Sequence, residues 1–387
     1  MPIKNRLAEL LPEIAAWRQD IHAHPELGTE EHRTAALVAD KLAAFGCDEI
    51  VPGVGGTGVV GVIRGKANTS GRVIGLRGDM DALPILEASG VDYPSRNEGV
   101  MHACGHDGHT AMLLGAAKYL AETRNFDGTV VLLFQPAEEV ALGAKGMIDD
   151  GVMDRFGVDE VYGIHNMPGL PVGQFAIRPG PLLAATDEFF ITVGGKGGHA
   201  AEPHTSIDPT VIASHIVIAL QTIISRNADP IVQGVVSVTS VDTSSHAFNV
   251  IPQSVKLRGT VRTHSADLQD LIEQRLSDVA TGIAASFGGQ AQVEYLRHVP
   301  ITINTDENTA FAEGIARSIA GDCSEASLIM GGEDFAFMLQ ERPGAFIFLG
   351  NGDSASLHHP EYNFNDETIP AGCSWFAELV ERRMPAA

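Results

Sequence analysis

At 387 residues, with a hydrophobic fraction of 44% and with 42 glycines and 20 prolines spread along it, the chain has the composition of a globular protein large enough for two domains. A formal net charge of -23 excludes a phosphate-binding surface built on Lys and Arg, so no nucleic-acid partner is expected. The cysteines Cys47, Cys104, Cys323 and Cys373 are too scattered for a disulfide scaffold, Lys4, Arg6 and Glu9 interrupt the N-terminal segment, and no apolar run of about 18 residues stands out. These features lead to the expectation of a cytoplasmic protein with no membrane partner.

Leu7, Leu10, Leu11, Ile14, Trp17 and Ile21 recur at helical spacing and predict an amphipathic helix. A second helix is expected from an N-cap at Thr29 to a stop at Gly46. Strands are then expected at 58–63 and 73–76, a helix at 107–122, a strand at 130–134, a helix at 141–150 and a strand at 161–164. Such alternation predicts an α/β sheet with buried parallel strands.

From about Asp187 the pattern becomes strand 189–193, helix 207–226, strands 234–241 and 255–262, helix 266–287 and strand 292–295. That β-α-β-β-α-β order is the one of a ferredoxin-like α+β unit. Helix 308–319, strand 345–349 and a helix from Pro370 then resume the larger pattern. The expected organisation is a large domain of residues 1–182 and 299–387 with a smaller one, 183–298, inserted into it.

The densest chemistry lies in Met101-His102-Ala103-Cys104-Gly105-His106-Asp107-Gly108-His109-Thr110, at a predicted loop-to-helix junction. Thiolate and neutral imidazole are good ligands for borderline metals, and Gly105 lets the chain bend so that Cys104 and His106 face one ion. Phe134-Gln135-Pro136-Ala137-Glu138-Glu139 ends a strand in adjacent carboxylates, one suited to bind metal and the other to act as general base, or both serving a helix N-terminus. His165 follows a strand directly, where α/β sheets place ligands, and His358 and His359 form a late pair. Asp79 and Asp81 share one side of an extended segment and are suited to orient a ligand histidine from behind. A glycine loop, 194–198, presents His199 as a candidate oxyanion donor, and Asn249 and Arg262 are candidates for holding a substrate amide and carboxylate.

Together with His22-Ala23-His24-Pro25-Glu26-Leu27-Gly28, Phe248-Asn249-Val250-Ile251-Pro252, Gly259-Thr260-Val261-Arg262-Thr263 and Gly332-Glu333-Asp334-Phe335, these blocks resemble the M20 metallopeptidase family from end to end. Within it they are most similar to the branch of hippurate hydrolases, aminoacylases and auxin-conjugate hydrolases. The resemblance implies a metallo-exopeptidase-like catalytic domain with the inserted unit as lid and dimerisation domain. It also implies two divalent metal ions (zinc, manganese, nickel or cobalt) held by Cys104, His106, Glu139, His165 and His358, with Cys104 as bridge and His359 a bystander.

By the same resemblance Glu138 is the general base, His199 acts across subunits, Asn249 and Arg262 hold the substrate, and Asp79 and Asp81 stand behind the ligands. Other branches carry a metal-binding His at the position of Asp79 and a bridging Asp at that of Cys104, which leaves the metal's identity open. The implied reaction is hydrolysis of an N-acyl amino acid by a homodimer or a tetramer of dimers. The alternatives are an N-acetyl-diaminopimelate deacetylase or dipeptidase, or an inactive binding relative. No role for His24, Glu333 or Asp334 emerges.

Overall fold

A computed structural model describes residues 3–386, in two compact units. One holds Met1–Gly180, Thr302–Ser327 and Glu333–Ala387; the other holds Pro181–Ile301 with Leu328–Gly332.

In the larger unit, helix α1 (Ile3–Ala23) buries Leu7, Leu10, Ile14, Trp17 and Ile21. Helix α2 (His32–Phe45) has Glu31 at its N-cap instead of the expected Thr29, which turns through a left-handed φ of 74°. The first amides of α2, those of Arg33 and Thr34, are met by the Glu26 carboxylate at 2.8 Å each, so a remote side chain does the capping.

Strands β1 (Glu49–Val54), β2 (Gly58–Arg64), β3 (Val73–Asp79), β4 (Thr129–Gln135), β5 (Glu160–Pro168), β6 (Phe175–Ile177), β7 (Cys323–Glu325) and β8 (Gly344–Gly352) form one sheet in the order β1-β2-β4-β3-β5-β8-β6-β7. The central β4-β3-β5-β8 group is parallel and almost wholly buried, as predicted. β1 and β2 run antiparallel, and β6 runs antiparallel to β8, so the sheet as a whole is mixed. The short link from Val54 to Gly58 permits only an antiparallel neighbour.

Helix α3 (His106–Thr123) is buried along nearly all its length. Helices α4 (Gly143–Asp149), α5 (Asp306–Ala320) and α6 (Phe335–Glu341) pack against the sheet, and α7 (Ile369–Arg383) packs against α3. The short helix α6 escaped the sequence reading because Gly331-Gly332-Glu333-Asp334 before it reads as a turn.

The smaller unit orders its strands Gly234–Thr243, Ser254–Thr263, Ala185–Gly194, Gln290–Val299, all antiparallel, with helices Pro209–Thr222 and Ala266–Ser286 packed on them. This is a ferredoxin-like arrangement. Asp208 caps the first helix by accepting from Thr210 N. By length and composition alone the stretch Pro209–Asn227 is apolar enough to cross a membrane, a run the sequence reading had not singled out. One side of it, Ile212, Ile216, Leu220 and Ile223, belongs to this unit's own core, while Val211 and Ile218 are exposed.

Candidate metal centre

The carboxyl ends of β3, β4 and β5 deliver Asp79 and Asp81, Glu138 and Glu139, and His165 to one place, where parallel sheets leave loops free to carry chemistry. Gly105 opens α3 in a left-handed conformation, φ 95°, and a Cβ there would lie 2.3 Å from Asn166 Oδ1 and 2.7 Å from Tyr362 Oη. Only glycine lets the chain pass so close, and its turn sets Cys104 and His106 side by side. His358 arrives from a distant loop, also with positive φ, and is tied down by its amide donating to Ala103 O at 2.8 Å.

Ligand atoms of Cys104, His106 and His165 lie within 4.8 Å of one another, as do those of Cys104, Glu139 and His358, and of His106, Glu138 and Glu139. Cys104 Sγ is 3.5 Å from His165 Nε2. His165 Nδ1 donates to Asn166 O at 2.7 Å, which turns Nε2 inward as the free donor atom. His106 Nδ1 lies 3.1 Å from Asp81 Oδ1, and Glu139 Oε1 lies 3.4 Å from His358 Nε2. His106 Nε2 and Glu139 Oε1 are buried with no hydrogen-bond partner among the described residues. Buried polar atoms are rarely left so, and a sulfur, imidazole and carboxylate donor set of this kind fits a borderline divalent cation.

Burial and mutual charge set the electrostatics of these groups. Burial pushes the Glu138 carboxyl well above its ordinary range, and Glu333, Asp334 and Glu139 add to the push. Burial also raises the Cys104 thiol and holds the His165 imidazole well below its usual value, the latter helped by His109. His165 is thereby kept neutral, the form in which imidazole binds metal. For His106, burial is outweighed by Asp79, the Cys104 thiol and the bond to Asp81, and its imidazole is held well above the usual value.

Behind these groups lies a network in which sequence had assigned no role to Arg77, Glu333 or Asp334. The buried Arg77 guanidinium donates to Gln135 Oε1 at 2.8 Å, Asp79 Oδ2 at 2.7 Å, Glu333 Oε1 at 2.7 Å and Asp334 Oδ1 at 3.2 Å. Asp79 in turn binds His109 Nδ1 at 2.6 Å, and His109 Nε2 meets Asn166. His109 is therefore engaged on both nitrogens. A cue in sequence was Arg77 directly after the apolar run Val73–Leu76, since a buried arginine needs partners.

Residues 75–382 match the family model Peptidase family M20/M25/M40. The chain belongs to this family. This M20 protein is 41% identical over 383 residues to a hippurate hydrolase of Campylobacter jejuni, covering 98% of this chain and 99% of the relative. It is 38% identical over 365 residues to an N-acetylcysteine deacetylase of Bacillus subtilis, covering 94% of each. A crystal structure of the Bacillus subtilis YXEP protein, described as a dinuclear metal-binding peptidase of the M20 family, superposes with a TM-score of 0.87 at 34% identity, over 98% of this chain and all of that one.

In the smaller unit of the M20 chain, His199 is exposed on a two-residue strand, Gly198–His199, paired with Val250–Ile251. Ala200 N donates to Asn249 O at 3.0 Å, which holds His199 and Asn249 together. Both line an open groove of about 560 Å3 with Gly197, Ser244 and Gln253. Arg262 does not line it, and its Nη1 donates instead to Thr260 Oγ1 and, at 2.9 Å, to Val261 O on its own strand.

Proposed function

We propose that the chain is a metal-dependent amidohydrolase that splits the amide bond of an N-acyl amino acid into a carboxylic acid and a free amino acid. The observation that carries this reading is a pair of buried atoms without a hydrogen bond among the described residues, His106 Nε2 and Glu139 Oε1, the latter facing His358 at 3.4 Å, inside a cluster that also holds Cys104 and His165 and has Glu138 beside it. Cys104 belongs to two of the ligand triads, which supports two divalent ions with this thiol between them. The relatives named for hippurate and N-acetylcysteine hydrolysis support an acyl amino acid as substrate.

When bound, divalent cations supply Lewis acidity that polarises the scissile carbonyl and acidifies water. Glu138 takes the proton from the attacking water and returns it to the leaving amine nitrogen, a task suited to a carboxyl whose proton affinity is raised. His199 donates to the oxyanion that develops on the acyl oxygen, and Asn249 holds the substrate amide. Arg262 takes the substrate carboxylate only by giving up its bonds to Thr260 and Val261.

The assembly we propose is a homodimer, alone or in a tetramer of dimers, with the smaller unit as lid and dimer surface. The strand Gly234–Thr243 is paired on one side only and exposes Val235 and Val241, and the neighbouring helix exposes Val211 and Ile218. Such an edge needs cover. All four cysteines are free, which suits the cytoplasm.

The test is release of free amino acid from benzoyl-, acetyl- and indoleacetyl-amino acids and from dipeptides, with and without chelator and added metal. Chelator-sensitive release from the acyl amino acids is expected; silence across that group in metal-loaded protein would discard the reading.

A further inference from the structure

Glu31 is fully buried, yet it neither caps the helix it precedes nor forms an ion pair with any Lys, Arg or His among the described residues. Burying a carboxylate without a cation is costly unless hydrogen bonds repay it. Its bonds all lead away from α2. Oε1 accepts from Ala137 N at 2.7 Å and from Thr29 N at 3.1 Å, and Oε2 accepts from the Thr57 hydroxyl.

Ala137 is where the chain leaving β4 turns to present Glu138 and Glu139, and it does so with φ at +51°, a conformation rare for any residue with a Cβ. The loop before Glu31 presses on the same turn. A Cβ on Gly28 would lie 3.2 Å from Ala137 Cα and 3.1 Å from Val140 Cγ2, so glycine is what allows the two segments to meet. Burial raises the proton affinity of the Glu31 carboxyl, while the bonds from Thr57 and Ala137 counter it.

We propose that Glu31 is a positioning residue: by gripping the Ala137 amide it holds the left-handed turn that aims the Glu138 carboxylate. The inference rests on the reading of Glu138 as the base. It gives a purpose to a buried carboxyl that takes no part in the metal cluster, and to the close approach of Gly28.

The test compares metal-loaded wild type, Glu31→Ala, Glu31→Gln and Thr57→Val for kcat, KM, metal content and hydrogen–deuterium exchange in the peptide spanning residues 134–142. Glu31→Ala is expected to lower kcat by about 10- to 100-fold, the scale on which small misplacements act, with KM and metal content little changed and exchange faster in that peptide. Glu31→Gln keeps a carbonyl oxygen for the Ala137 amide and should recover most of kcat. Wild-type kcat in Glu31→Ala would overturn the proposal, as would a loss that Gln does not rescue and that comes with loss of metal. Should Glu31→Ala not fold, Thr57→Val, which removes one of the three bonds, decides: faster exchange at 134–142 with lower kcat supports it, and neither change overturns it. Silence of the unmodified enzyme on every substrate would instead sink the amidohydrolase reading, and with it the positioning role of Glu31.

Discussion

Asp81 stands behind His106 with 3.1 Å between its Oδ1 and the histidine's Nδ1, while its second oxygen accepts the Glu139 amide at 3.0 Å. One carboxylate thus sets the ring of one candidate ligand and the backbone of another, and leaves His106 Nε2 pointing at the cluster. Asp81→Ala should weaken metal binding by about 10- to 100-fold, the usual cost of removing such a support. Competition with a chromophoric chelator measures it; an unchanged affinity would show that packing alone positions His106.

Glu138→Gln is nearly isosteric and leaves Cys104, His106, Glu139, His165 and His358, the proposed ligands, untouched. A fall in kcat of about 10²- to 10⁴-fold with metal content unchanged is expected, the range general acid–base catalysis supplies. Elemental analysis beside steady-state kinetics separates this from simple metal loss, and retained turnover would remove Glu138 as the base.

His22 binds Asp107 Oδ2 through Nδ1 at 2.9 Å and Glu87 Oε1 through Nε2 at 3.1 Å, both out of solvent. Burial opposes its charge, but the bonds to Asp107 and Glu87 win and push it up to about 9. A histidine raised from 6.5 to about 9 stabilises the fold fully below pH 6.5 and loses that contribution as pH climbs through about 9. Urea denaturation should therefore show wild type weakening between pH 7 and 10. His22→Leu, which removes one bond each from Asp107 and Glu87 while Arg18 stays on Asp107 and Ser89 and Ser95 stay on Glu87, should cost about 1–3 kcal/mol near neutrality and show a flatter curve over that window. Equal slopes would mean that His22 is not the group titrating.

His199→Ala should lower kcat while the thermal midpoint moves little, because the side chain is exposed and its Nδ1 accepts one bond, from Ala201 N at 3.2 Å. If the histidine serves the neighbouring subunit, mixing His199→Ala with Glu138→Gln restores one intact site in each hybrid dimer, or about a quarter of the wild-type rate on random exchange. No recovery after subunit exchange has been verified would confine His199 to its own chain.

The helices and central strands were legible because their cause is local. The three- and four-residue spacing of Leu7, Leu10, Ile14 and Trp17, and the apolar runs that became β3, β4, β5 and β8, carry their period on the surface of the sequence. The start of α2 was misread, since its amides are met by Glu26 from outside the helix and not by a residue at the expected cap. The mixed edges of the sheet and helix α6 were likewise hidden, being settled by pairing partners and by packing rather than by propensity.

By itself the sequence determined which residue types are present to do chemistry: one thiol, several imidazoles and adjacent carboxylates, carried in motifs that mark the M20 family. The tertiary structure alone decided that His109, from the same dense motif, is consumed by Asp79 and Asn166 while His106 keeps a nitrogen without a hydrogen bond, and that the Arg77 guanidinium ties Asp79 to Glu333 and Asp334 behind the cluster. Which nitrogen of a histidine is free, and which buried carboxylate is paired, depends on groups brought close by the fold from positions as far apart as Arg77 and Glu333. Hydrogen bonds act over about 3 Å in space and have no range in sequence.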